Sequence, residues 1–144
     1  MKGKYLRFAF LGWLSGMAGG LLLMTPQAWI ASSGGDIWLI GMLSIWSLPY
    51  AMKPVLAIFL DALRSKYAWS YSELVNGLIV LLAILIVLLG GVNPVSQKTH
   101  FSLLLSMGCA LASMLDTCID GARIQLDKPG EQEMVAGYYT SGYL

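Results

Sequence analysis

The sequence predicts an all-α integral membrane protein with four transmembrane spans and the start of a fifth, and three observations carry that expectation. Hydrophobic residues make up 57% of the 144-residue chain and charged ones only 12%, a balance outside that of soluble domains. A hydrocarbon core about 30 Å thick needs about twenty apolar residues of helix, and uncharged runs of that order recur. Basic residues fall in alternate connections: Lys2, Lys4 and Arg7, then Arg64 and Lys66, then Arg123 and Lys128, with Lys98 alone on the other side. That asymmetry places the N-terminus in the cytoplasm.

The first span is expected from about Phe8 to Ile30, since no charged residue occurs between Arg7 and Asp36. Its basic start resembles a signal peptide, but the apolar run is too long for a cleaved h-region and reads as a signal anchor. Gly12, Ser15 and Gly16 are small residues at helical spacing, suited to close approach of another helix. Pro26 should loosen the backbone ladder, and a buried Gln27 would offer hydrogen bonds to a polar solute. Ser32-Ser33-Gly34-Gly35-Asp36 reads as a tight loop.

The second span is expected from about Ile37 to Leu60, with Pro49 and Pro54 bending it or breaking its ladder. Lys53 lies inside this span. One reading has it snorkel to the surface on its apolar stem, and the other makes it an interior cation facing a carboxylate such as Asp116. Asp61 to Glu73 reads as a polar connector containing Arg64, with Tyr67, Trp69 and Tyr71 as interfacial aromatics.

The third span, about Leu74 to Gly91, is apolar on every face and is expected on the outside of the bundle. Val92 to Lys98 turns the chain. The fourth span runs from about Thr99 to Arg123 and begins beside His100, the single histidine, which is read as structural. Pro129-Gly130 is a stop and turn signal, and Met134 to Leu144 reads as an unfinished fifth span.

The chemistry is concentrated at the end of the fourth span. Asp116, Asp120 and Arg123 are separated by four and three residues and share one helical stripe. A charge in hydrocarbon costs about 2.5 to 3.5 kcal/mol on insertion scales, so such a stripe faces a bundle interior or an aqueous path. For Asp120 and Arg123 an ion pair at the membrane surface is the competing account. Asp116 lies a turn deeper, and its competing account is a buried structural pair.

Several functions are disfavoured. A net charge of +1 without a basic cluster leaves no footprint for nucleic acid. Cys109 and Cys118 lie nine residues apart on one predicted helix, beyond disulfide reach, and no metal-ligand cluster or cofactor motif is present. Two aspartates on one helix are poor material for an acid and base pair, which argues against an enzyme. A small homodimeric four-helix exporter would rely on an acidic residue in the first span, and that span has none.

Three separated motifs resemble those of AmpG-type muropeptide permeases of the major facilitator superfamily. They are Gly12, Ser15 and Gly16 followed by Gln27-Ala28-Trp29; Ile40-Gly41, Leu48-Pro49-Tyr50, Lys53 and Asp61; and the paired Asp116 and Asp120 with Arg123. Gly137 to Tyr143 resembles, more weakly, the start of that family's fifth helix. Ala18, Ile58, Leu115, Gly121 and Ala122 depart from the pattern.

The resemblance implies the N-terminal part of a proton-linked importer of anhydro-muropeptides in the bacterial inner membrane. Asp116, Asp120, Lys53 and Arg123 would then be the proton-coupling or charge-pair residues. Gln27, Trp29 and Tyr50 would lie on the solute path, and Asp61 with Arg64 would form a cytoplasmic connector motif. The implied partners are membrane lipid, protons, a muropeptide-like solute and a complementary C-terminal transporter half. A remnant or interaction subunit without transport activity of its own is the alternative.

Overall fold

The computed structural model describes residues 2–126 and 132–143, with side chains over 5–124 and 132–142. The expected stop at Pro129-Gly130, Lys128 and the side chains of Lys2 and Lys4 lie outside the described residues. Those described are helical throughout, without a strand: α1 (Lys2–Gly19), a π turn (Gly20–Met24), α2 (Thr25–Ser32), α3 (Ile37–Trp46), α4 (Leu48–Ala51), α5 (Lys53–Tyr67), α6 (Tyr71–Gly90), α7 (Lys98–Leu126) and α8 (Gln132–Tyr143). Three helical stretches are long and apolar enough to cross a membrane, or four when the bent pair α3–α4 and α5 is taken as one. The chain is a membrane protein by this measure.

The first stretch runs unbroken from Tyr5 to Ser32 because the π turn absorbs Pro26. Proline has no N–H to donate, and its ring presses on the carbonyl one turn earlier. The helix widens just before it: the Thr25 N–H reaches back to the Gly20 carbonyl, and the Thr25 hydroxyl also donates there at 3.3 Å. Gly34, at φ +75°, closes the following loop in the left-handed region open to glycine.

Pro49 and Pro54 divide the second stretch into segments. Each sits in the first turn of its helix, where a missing N–H costs nothing, so α4 and α5 begin at the prolines instead of bending around them. The two parts meet at 41°. Lys53 is the first residue of α5, directly at the break.

The stretch expected as a polar connector, Asp61 to Glu73, is largely helical. Asp61, Arg64 and Lys66 belong to α5, which continues to Tyr67, and the connection shrinks to Ala68-Trp69-Ser70. Ala62, Leu63, Arg64 and Lys66 are good helix formers, and the two basic residues favour the carbonyl end of the helix. Ala68, at φ 52°, ends the helix. Ser70 then opens α6 with a capping box: its hydroxyl accepts from the Glu73 N–H at 3.3 Å, and the Glu73 carboxylate accepts from the Ser70 N–H at 2.8 Å.

The strongly apolar α6 has a packed and an open face. Leu74, Val75, Leu78, Leu82, Leu85 and Leu89 are buried, whereas Val80, Leu81, Ile84, Val87 and Leu88 are exposed. The buried face lies on α7, which is the axis of the fold and touches α1, the π turn, α3, α4, α5, α6 and α8. Along α7 the inward stripe reads Phe101, Leu105, Cys109, Ala112, Asp116, Ile119, all buried. Asp116 therefore occupies a position that helical spacing assigns to an apolar side chain.

The last helix, α8, packs against α1. A Cβ at Gly12 would collide with the Tyr139 carbonyl, and one at Gly142 with the Ala9 carbonyl, so the missing side chains set the approach of the two backbones. Tyr5 and Tyr138 stack beside this contact with ring centroids 5.3 Å apart.

Candidate functional site

The polar site is built where four elements meet on the inward stripe of α7. Asp116 Oδ1 accepts from the Ser15 hydroxyl of α1 at 2.9 Å and from the Tyr139 hydroxyl of α8 at 2.6 Å. Its other oxygen, Oδ2, forms an ion pair with the Lys53 ammonium at the start of α5. The Asp116 side chain is 8% exposed and that of Lys53 39%, so the carboxylate is reached from outside through the lysine. Lys53 Nζ stands 5.0 Å from the centroid of the Tyr50 ring of α4, within reach of its π face.

Each position follows from local structure. The break at Met52 starts a new helix at Lys53 and turns its stem towards α7. The close approach of α1 and α8 brings Ser15 and Tyr139 to the same oxygen. An unpaired carboxylate at this depth would be expensive, and three donors from three different helices compensate it.

Asp120 and Arg123 form a second, more open group one turn along. They pair at 3.4 Å with side chains 47% and 26% exposed, and the guanidinium lies 5.4 Å from the Tyr139 ring centroid. Arg123 thus serves Asp120, whereas Lys53 serves Asp116. Asp120 borders a cleft of about 240 Å³ with Asp61, Tyr71, Gly121 and Ile124. Gly121 leaves room for the Tyr71 ring, and the Arg64 guanidinium stacks on that ring at 4.1 Å from its centroid.

The solute-path candidates are not brought together. Tyr50 adjoins the Lys53–Asp116 pair. Trp29 instead packs edge-on against Phe101 at 5.5 Å, which by helical rise is roughly 22 Å from Asp116 along α7. Gln27, expected in a buried position, is exposed on α2.

Sequence reasoning missed Ser15 and Tyr139 as ligands of Asp116. Ser15 is legible in the sequence only as a small packing residue and Tyr139 only as part of an apolar pattern. One signal is available, because Ser15 lies one turn from Gly12 on the close-packing face and its hydroxyl then needs an interior partner. Ser113, one turn before Asp116, is buried with a hydroxyl oxygen that lacks a hydrogen-bond partner among the described residues. Cys109 and Cys118 are free and buried.

Comparison with known proteins adds two distant relatives. The chain is 27% identical over 139 residues to the putative transporter AmpG 1 of Rickettsia bellii, covering 91% of this chain and 34% of that protein. It is 25% identical over 136 residues to the putative transporter AmpG 4 of Rickettsia conorii, covering 92% and 33%. The chain therefore spans about a third of the length of these relatives. No family model matches, and no solved structure matches. The likeness is weak homology to AmpG transporters that extends along nearly the whole chain.

Proposed function

We propose that this chain is the N-terminal portion of a proton-linked secondary transporter of the major facilitator type, which imports anhydro-muropeptides across the bacterial inner membrane. The observation that carries the reading is the buried Asp116 carboxylate, paired with a half-exposed Lys53 and held by hydroxyls from two further helices. A protonatable group on the inward stripe of a membrane bundle, joined to helices that begin at a break, is the arrangement a proton-coupled rocking carrier needs. The likeness to AmpG transporters supports the solute class. In this reading the N-terminus faces the cytoplasm, and the spans lie at about 8–30, 37–60, 74–91 and 99–123, with a further one from 134.

The test is uptake of labelled anhydro-muropeptide by cells that express this chain together with the part of a Rickettsia relative lying beyond the aligned stretch. Gradient-dependent uptake is expected, and Asp116→Asn should abolish it while membrane insertion persists. Uptake by that variant at the unsubstituted rate would remove Asp116 from proton coupling and the reading with it.

A further inference from the structure

The two oxygens of Asp116 are not equivalent. Oδ1 already accepts two hydroxyl protons, from Ser15 at 2.9 Å and from Tyr139 at 2.6 Å, which occupies its lone pairs. Oδ2 has the Lys53 ammonium. A proton arriving at this carboxylate therefore competes with Lys53 for Oδ2. Protonation makes the carboxyl neutral, removes the attraction that holds the ammonium, and leaves Lys53 charged.

The other groups around the pair bear on where the ammonium's charge is then satisfied. On α7 itself Asp120 is occupied by Arg123 at 3.4 Å. α8 presents Tyr139, already bonded to Asp116, and α1 presents Ser15. α2, α3 and α4 contain no charged residue, and the sole charged residue of α6, Glu73, caps its own helix at Ser70. Asp61 of α5 borders the separate cleft beside Asp120. The Tyr50 ring, 5.0 Å away, steadies a cation but does not neutralise one. With its side chain 39% exposed, Lys53 is the member of the pair that a solute can touch.

We infer that Asp116 Oδ2 exchanges the Lys53 ammonium for a proton, and that the ammonium so released binds a carboxylate of the incoming solute. The inference rests on the transport reading above and gives it a substrate class, an anion carrying a single-charge group suited to one ammonium. One proton and one negative charge enter the site together, so the occupied site has the same net charge as the empty one. Lys53 keeps its protons throughout, and the only bond made to hydrogen is the new O–H on Asp116.

The exchange is tested on the chain co-purified in lipid nanodiscs with the part of a Rickettsia relative lying beyond the aligned stretch, by calorimetric binding of an anhydro-muropeptide and of the same compound with its carboxylates amidated. For the unsubstituted chain, binding of the anion should weaken about tenfold for each pH unit above the titration of Asp116, the slope of one linked proton. The amidated compound should not bind. Asp116→Asn, which keeps an oxygen for both hydroxyls and mimics the protonated acid, should bind the anion with no pH slope, and Lys53→Met should lose preference for it. An infrared carboxylic-acid band should appear on binding and be absent from the Asp116→Asn variant.

A chain that fails to bind, an Asp116→Asn variant with the full slope, or equal binding of the amidated compound would each overturn the exchange. Uptake that succeeds without the linkage would remove the exchange and leave the transport reading. Linkage without uptake would do the reverse.

Discussion

Asp116 shows how much one side chain can ask of its neighbours. Taking a carboxylate out of water costs several kcal/mol, and its attraction to Lys53 offsets this only because hydroxyls from α1 and α8 complete the set. Removing one partner should therefore cost more than removing both. Lys53→Met or Asp116→Leu alone is expected to destabilise the chain by about 3 kcal/mol, towards the low end for buried pairs because Lys53 is partly exposed. The double variant should recover most of the loss in denaturation from nanodiscs. Additive losses would show that the pair contributes little as a unit. The sequence displays the cost of placing Asp116 where it is, but not its partners, since Ser15 and Tyr139 are common residues on apolar helices.

At the scale of elements, breaks and close contacts do most of the positioning. Lys53 reaches Asp116 because α5 starts at that residue, and Tyr139 reaches it because α8 lies almost backbone to backbone on α1. Gly12→Leu should push α8 away from α1 and separate Tyr139 from Asp116, whereas Gly137→Leu, where a Cβ meets nothing within 4 Å, should leave the contact intact. A short bismaleimide cross-link between cysteines placed at Tyr5 and Tyr138, whose rings stack with centroids 5.3 Å apart, reads this out. It should form in the Gly137→Leu background and fail in the Gly12→Leu background, and equal formation in both would contradict the contact. Pro49 and Pro54 are legible as breaks in the sequence alone, because a missing N–H is a local fact. The extension of α5 through Asp61, Arg64 and Lys66 is not legible in the same way: charge there marks the edge of the apolar core, and a helix continues past that edge while its residues favour it.

At the scale of the whole molecule, α7 carries the buried stripe, and the helices around it present Phe10, Trp13, Met17, Val80, Ile84 and Val87 outward, as α7 itself presents Leu103 and Met107. An apolar exterior around a charged interior inverts the soluble pattern and suits a hydrocarbon solvent. The distribution of Lys and Arg predicts which ends face the cytoplasm. Alkaline phosphatase fused in the Val92–Gln97 turn should be active, and the same enzyme fused in the Ala68–Ser70 connection should be inactive. The opposite pattern would invert the proposed orientation.

The amino-acid order is enough to establish the helical membrane class, the breaks at Pro49 and Pro54, and the presence of an interior carboxylate at Asp116. These depend on composition, on missing backbone donors and on the cost of a charge at a given depth, all of which are local. It takes the packed helices to pair Lys53 with Asp116, to bring Ser15 and Tyr139 into the site, and to leave Gln27 exposed. Those outcomes depend on the azimuth and depth at which helices distant in the chain meet, and a glycine contact is enough to change them.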